Sequence, residues 1–264
     1  MTDAGIQAVV AVDWSGALAG AERKIWLCEI DRGVVVRLEN GRSREALVEE
    51  VIATARRTPR LVVGFDFAFS LPAWFLAERG LPDAHALWAL AAREGEEWLR
   101  GPVAPFWGRG GTRRPELPAH VRRTEVDAGV RTTRRPSSVF KLVGADQVGA
   151  GSVRGMAALE RLAERGFAIW PFDVPRPGHP VAVEIWPHLL YAEPVTKSSA
   201  DARAAYLARH AGRVDPRFRT AAAASDDAFD ALTAALAMWG RREELAALPS
   251  AGGEEEVEGR IWGT

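Results

Sequence analysis

Residues 6–16 read IQAVVAVDWSG, an apolar run that ends in an aspartate, a tryptophan and a Ser-Gly pair. A continuous apolar run without alternating polar residues is typical of a strand that is buried on both faces of a sheet. Residues 60–72, RLVVGFDFAFSLP, have the same character and end at a proline. We therefore predict an α/β fold on two buried strands, with Asp13 at the end of the first and Asp66 after the apolar run of the second.

The chain around these strands predicts the other elements. Residues 24–39 contain two β-rich runs separated by Asp31-Arg32-Gly33, which is a hairpin signal. Residues 43–57 open with a serine cap and then show helical periodicity. Because there is no internal repeat or low-complexity linker, we predict a single domain over residues 1–264. Further patterns predict helices at 73–79, 83–100, 152–166 and 201–210, and strands at 167–173 and 181–187.

The composition is that of an ordinary globular protein. Hydrophobic residues make up 47%, charged residues 26%, and the net charge is -1, so any affinity for nucleic acid must come from a local patch. The one cysteine, Cys28, excludes an internal disulfide and a cysteine zinc cluster. No apolar run approaches the roughly 20 residues of a membrane span. We expect a cytoplasmic protein that has no membrane partner.

Residues 225–240, SDDAFDALTAALAMWG, place three aspartates at the head of an otherwise uncharged segment. A helix this apolar should be buried, with Ser225 as its N-cap. A buried carboxylate is unfavourable unless its charge is compensated. Asp230 lies beyond the cap, and helical spacing brings Asp226 and Asp227 near it on one side.

Other carboxylates in apolar segments also need a group that compensates their charge. Glu184 interrupts the predicted strand VAVEIW, and Asp13 and Asp66 end or interrupt apolar runs. Taken singly, an aspartate at a strand end can begin a turn, and aspartates in a first helical turn can favour the helix dipole. Taken together, with no Lys or Arg close to them in sequence, they indicate a divalent cation. Carboxylate clusters without Cys or His favour Mg²⁺ or Mn²⁺.

These motifs also resemble those of a known family. VDWSG, GFDFAFSLP, EIWPHLL and DDAFDAL are similar to the predicted RNase H-like nuclease family, a family of unknown function designated DUF429, over residues 6–239. The β-β-β-α-β opening, with an aspartate on the first strand, resembles the ribonuclease H-like superfamily and its Holliday-junction resolvase branch. The resemblance implies an α/β fold with a mixed five-stranded sheet flanked by helices.

The resemblance implies roles for individual residues. Asp13 matches a metal ligand on the first strand, Asp66 the acid of the fourth strand, and Asp227 and Asp230 the D-x-x-D of the last helix. Glu184 matches the acid of an E-x-x-P motif and is counted among the catalytic residues. The implied chemistry uses two metal ions about 4 Å apart, one activating water and one stabilising the leaving oxygen of a phosphodiester. The expected function is that of a metal-dependent nuclease with Mg²⁺ or Mn²⁺.

Residues 101–136 are rich in Gly, Pro and Arg, and we predict an irregular basic insert there. Its cations suit contacts with the phosphates of nucleic acid, although the composition also fits a solvated loop. The residues expected to contact nucleic acid are Arg113, Arg114, Arg134, Arg135 and Lys141.

Two other classes of protein stay open. One is a non-catalytic module that kept the fold and binds nucleic acid or protein. The other is an actin-like ATPase or kinase, which shares the ribonuclease H-like core but needs paired nucleotide-binding domains and glycine-rich phosphate loops. The glycine-rich stretch VGADQVGAGSVRG lacks the Lys-Ser/Thr ending of a phosphate-binding loop.

Overall fold

A computed structural model of the protein describes residues 5–101, 104–132, 136–144 and 147–264, and a mixed six-stranded sheet crosses this part of the chain. The strands are β1 (Ala8–Asp13), β2 (Trp26–Asp31), β3 (Val34–Glu39), β4 (Leu61–Phe65), β5 (Ala168–Ile169) and β6 (Val181–Glu184). Their order across the sheet is β3-β2-β1-β4-β6-β5. β2 is antiparallel to β1 and β3, whereas β1, β4, β6 and β5 run parallel.

The expected five-stranded sheet is therefore corrected to six strands. The sixth strand corresponds to the strand predicted at residues 167–173, which is only the two-residue edge strand β5 and pairs with β6. Ile169 in this strand is fully buried, so its apolar side chain holds the short segment against the core. The hairpin predicted at residues 24–39 is confirmed as β2 and β3.

Helices cover both faces of the sheet. Those in the described residues are α1 (Ala21–Lys24), α2 (Arg44–Arg57), α3 (Ala73–Glu78), α4 (Ala84–Arg100), α5 (Arg123–Thr132), α6 (Val148–Glu164), α7 (Pro187–Leu190), α8 (Ala200–His210), α9 (Pro216–Ala224), α10 (Asp226–Gly240), α11 (Arg242–Ala246) and α12 (Glu255–Glu258). In this part of the chain, none of them is both long enough and apolar enough to cross a bilayer.

Alternation along β1 separates two hydrophobic layers. Val10 and Val12 face the layer that contains α2, α4 and α6, whereas Val9 and Ala11 face the layer that contains α8, α9 and α10. Because successive side chains of a strand point to opposite faces, both faces of β1 are apolar and buried. This explains the continuous apolar run at residues 6–12.

The apolar helix predicted at residues 225–240 is confirmed as α10. The side chain of Ser225 accepts a hydrogen bond from the amide of Ala228, as an N-cap does. The helix packs against β1 and β2, and most of its residues are buried. α10 therefore carries its aspartates to the face of the sheet beside β1.

The segment 101–136 is not wholly irregular, because α5 lies within it. Thr124, Glu125 and Ala128 are buried on this helix, and Arg122 immediately before it is fully buried. The arginine and glutamate at the start of the helix form an ion pair, which lets charged residues enter the interior. The segment therefore has a composition typical of loops but contains helix α5, which is anchored by the buried ion pair of Arg122 and Glu125.

Candidate functional site

Asp13 and Asp66 lie side by side at the carboxyl ends of two neighbouring parallel strands. The register pairs Val12 of β1 with Phe65 of β4, so each aspartate follows directly after a paired residue. The amide of Asp66 donates a hydrogen bond to the carbonyl of Val12 at 3.1 Å. Since neighbouring strands are about 4.8 Å apart, the two carboxylates belong to one site.

Both side chains lie on the face of the sheet that α10 covers. Asp13 continues the alternation of Val9 and Ala11, which pack in the layer of α10. On β4, a Cβ added to Gly64 would lie 2.8 Å from the sulfur of Met238 on α10, and Asp66 follows Gly64 by two residues. The two carboxylates therefore lie between the sheet and α10, where both aspartates are half-buried.

Asp230 joins this site from α10. It is 2% exposed, and each of its carboxylate oxygens has a partner: the hydroxyl of Tyr191 donates to Oδ1 and the ammonium of Lys197 to Oδ2. Asp227 lies one turn earlier on the same helix and is half-buried, whereas Asp226 is exposed. We refer to Asp13, Asp66, Asp227 and Asp230 as the acidic cluster.

Fully ionised, the acidic cluster would carry more negative charge than one lysine can balance. Burial raises the pKa of Asp13 well above that of an ordinary carboxyl group, and the charges of Asp230, Asp66 and Asp227 raise it further. Burial and the charge of Asp230 raise the pKa of Asp66 to about 8. Lys197 opposes these shifts. An additional cation would stabilise the ionised cluster.

The donor chemistry of the cluster fits a hard divalent cation. Within the described ranges, the carboxylates of Asp13 and Asp66 accept no hydrogen bond from protein groups, so their oxygens are open to a ligand. Oxygen donors are those that Mg²⁺ and Mn²⁺ prefer. No group of three or more His, Cys, Asp or Glu side chains in these same ranges is already arranged to hold a metal ion. The cluster thus offers the kind of donor atom that such an ion needs. Its side chains would have to move to surround the ion.

Glu184 lies close to the acidic cluster, since its charge raises the pKa of Asp66 and it lines one pocket together with Asp66 and Asp230. Val181 and Val183 of β6 face the layer of α10, so Glu184 faces the opposite layer. Its carboxylate accepts hydrogen bonds from Arg122 Nη1 and from the amide of Phe69, at 2.9 Å and 2.8 Å. Its catalytic role stays a prediction, and the structure shows a carboxylate that is committed to a buried ion pair.

Burial works against the charge of Arg122, but Glu125 and Glu184 raise the pKa of Arg122 above its ordinary value. The guanidinium therefore stays charged inside the protein. It also donates to the carbonyl of Glu258 at 2.9 Å, which ties the C-terminal helix α12 to the same network.

A cleft of about 340 Å³ opens beside the cluster. Its walls include Asp66, Asp230 and Lys197, together with the residues that follow Asp13 in the chain. This following loop is held rigidly against α6: Trp14 Nε1 donates to the carbonyl of Gly151 at 3.1 Å. A Cβ on Gly16 would lie 2.3 Å from the nitrogen of Gly151, so only glycine allows this contact. The cleft therefore has a fixed wall next to Asp13.

The residues predicted to contact nucleic acid are scattered. Arg113 and Arg114 are exposed, and Arg114 Nε donates to His120 Nε2 at 3.3 Å. Lys141 is half-buried and forms an isolated bridge with Trp107. None of these three borders the cleft. Arg134 and Arg135 lie outside the described residues.

Two partners of Asp230 were missed in the sequence, Lys197 and Tyr191. Lys197 is one of only three lysines in the chain, but it lies 33 residues before Asp230 in a polar stretch, TKSS, that has no periodic pattern. Tyr191 follows the predicted strand and its proline without any motif of its own. Neither residue carries a local signal that could have linked it to the cluster.

The fold and the site define an α/β protein with an acidic cluster at the carboxyl ends of parallel strands. Residues 29–252 match the family model described as Protein of unknown function (DUF429), and the chain belongs to this family. No curated protein and no solved structure matches the chain.

Proposed function

We propose that the protein is a metal-dependent phosphodiester hydrolase that acts on nucleic acid, with a ribonuclease H-like core. The observation that carries the proposal is the pairing of Asp13 and Asp66. Two carboxylates without hydrogen-bond partners among the described residues stand on adjacent parallel strands, and α10 brings a third carboxylate, Asp230, to the same site. Such a cluster is unfavourable without a cation and suits a divalent one.

The chain order of the elements supports the ribonuclease H-like assignment. Apart from the one-turn helix α1, the chain begins β1-β2-β3-α2-β4, which agrees with the β-β-β-α-β opening of that superfamily. Membership of the DUF429 family agrees with the resemblance to that family, whose description gives neither a fold nor an activity.

In this proposal Asp13 and Asp66 bind Mg²⁺ or Mn²⁺, with Asp227 and Asp230 adding negative charge. A bound ion would activate water and stabilise charge on the phosphodiester. Lys197 borders the cleft and attracts the phosphate by its charge. Glu184 supports the site from the opposite face of the sheet, because its hydrogen bond to the amide of Phe69 holds the segment that follows Asp66.

A second candidate is a non-catalytic nucleic-acid-binding module on the same fold. The contact between Lys197 and Asp230 favours it, since an internal cation already compensates one carboxylate without a metal. The first candidate cleaves nucleic acid and needs a divalent ion with the carboxylates of Asp13 and Asp66. The second candidate only binds nucleic acid and needs neither.

A cleavage screen tests the proposal. Labelled single-stranded, duplex and branched DNA and RNA are incubated with MgCl₂, MnCl₂ or EDTA. We expect ion-dependent cleavage that is lost in Asp13→Asn and Asp66→Asn and kept in Asp201→Asn, which removes an exposed carboxylate on α8. Binding of these substrates without any cleavage would favour the second candidate.

A further inference from the structure

Lys197 reaches the acidic cluster from the loop between α7 and α8. Its ammonium contacts Asp230 Oδ2, and its side chain is 33% exposed. Its charge acts on all four aspartates of the cluster, where it lowers each carboxyl pKa against the effect of burial. Lys197 therefore serves the site as a whole.

Arg203 holds Lys197 in place. This arginine on α8 is 5% exposed, and its Nη1 donates to the carbonyl of Lys197. Its Nε and Nη2 both donate to the carbonyl of Ala223, at 3.0 Å and 2.7 Å. Ala223 lies two residues before Ser225, the N-cap of α10. A buried guanidinium thus ties the backbone of Lys197 to the start of the helix that carries Asp230.

The acidic cluster is consequently divided into two halves. At Asp230, Tyr191 and Lys197 occupy both carboxylate oxygens. At Asp13 and Asp66, no protein group within the described residues donates to either carboxylate. Among the described residues, direct contact with a cation is therefore confined to Asp230, although the charge of Lys197 acts on the whole cluster.

We propose that the Lys197 ammonium is a built-in cation of this site, which fills one cation position at Asp230 and leaves a single divalent ion to bind at Asp13 and Asp66. The inference rests on the proposed function, for which the resemblance implies two ions. A tethered ammonium cannot diffuse away, so this half of the cluster stays compensated when divalent ions are scarce. Its charge also faces the cleft, where a phosphate group of the substrate would lie.

The number of bound ions tests this inference. Isothermal titration calorimetry with MgCl₂ and with MnCl₂ is performed on the wild type, Lys197→Gln, Lys197→Arg and Arg56→Gln. Glutamine keeps a donor for Asp230 but removes the charge, and Arg56 is an exposed arginine on α2. We expect one ion per chain in the wild type, two in Lys197→Gln, and one in both Lys197→Arg and Arg56→Gln.

Two results would overturn the inference: two ions bound by the wild type, or no additional ion in Lys197→Gln. If the wild type binds none and Lys197→Gln binds one, Lys197 occupies a cation position, but the ion expected at Asp13 and Asp66 is absent, so that part of the inference and the proposed metal-dependent function both fail. If neither protein binds an ion, both fail. Should Lys197→Gln fold only with ions, refolding in MnCl₂ and counting the manganese retained after gel filtration gives the same number.

Discussion

Arg122 and Glu184 form an ion pair inside the protein, with Nη1 of the arginine 2.9 Å from Oε2 of the glutamate. Arg122 is fully buried and Glu184 is 3% exposed. The pair joins the predicted insert to strand β6. Through the amide of Phe69 it also joins the segment that follows Asp66, so this buried contact supports one wall of the acidic cluster.

Removing the charge of Glu184 should destabilise the protein whether or not metal is present. Glu184→Gln leaves Arg122 buried with less compensation, and breaking a buried ion pair from one side costs about 3 kcal/mol. Urea unfolding in EDTA and in MgCl₂ measures this loss. Asp127→Asn breaks the exposed pair with Arg123 and serves as the control, with an expected loss below about 1 kcal/mol. A loss in Glu184→Gln that appeared only with Mg²⁺ would assign Glu184 to the ion instead.

Asp13→Asn and Asp230→Asn should affect stability in opposite directions without metal. Asp13 accepts no hydrogen bond from the described residues and is repelled by its neighbours, so Asp13→Asn should keep or raise the Tm in EDTA. Asp230 is the acceptor for Tyr191 and Lys197, so Asp230→Asn should lower the free energy of unfolding by about 1–3 kcal/mol.

Thermal melts in EDTA and in MgCl₂ measure both variants. The rise in Tm on adding Mg²⁺ should shrink in Asp13→Asn, because a ligand stabilises only through its binding to the folded state. An undiminished Mg²⁺ effect in Asp13→Asn would count against Asp13 as a ligand.

The contribution of Asp66 to the stability of the metal-free protein should fall as pH rises from about 4 to about 8. Burial and the charge of Asp230 raise the pKa of Asp66 to about 8, whereas an aspartate in an unfolded chain has a pKa of about 3.9. Between these values the folded chain retains a proton that the unfolded chain has lost, so the free energy of unfolding decreases with pH. The free energy of unfolding of Asp66→Asn minus that of the wild type, measured by urea unfolding in EDTA at several pH values, should therefore increase with pH. Equal slopes in the two proteins would contradict the raised pKa.

The basic residues of the insert should bind nucleic acid without contributing to chemistry. Replacing Arg134 and Arg135 by alanine, and separately Arg113 and Arg114, should weaken binding of a labelled oligonucleotide. The slope of log affinity against log salt should flatten by roughly one unit per lost phosphate contact. Fluorescence anisotropy across a salt series measures both quantities. If replacing two neighbouring arginines changes neither the affinity for the oligonucleotide nor the salt slope, those arginines belong to a solvated loop.

The sequence by itself determined the local elements and the main acidic positions. Apolar runs identified β1 and β4, the turn at Asp31-Arg32-Gly33 identified the hairpin, and Ser225 marked the start of α10. These features are local, since burial on both faces, a turn and a helix cap each leave their pattern within a few residues. Asp13 and Asp66 were visible for the same reason: each breaks such a pattern.

The tertiary structure alone decided which charges meet. Glu184 also breaks an apolar run, but the alternation of a strand does not say which face lies beside α10, so only the assembled sheet separates it from Asp13. Arg122 is buried within a stretch whose composition is that of a loop. Lys197 compensates Asp230 across 33 residues of sequence. Contacts between distant segments depend on how the layers pack, and no local periodicity encodes them.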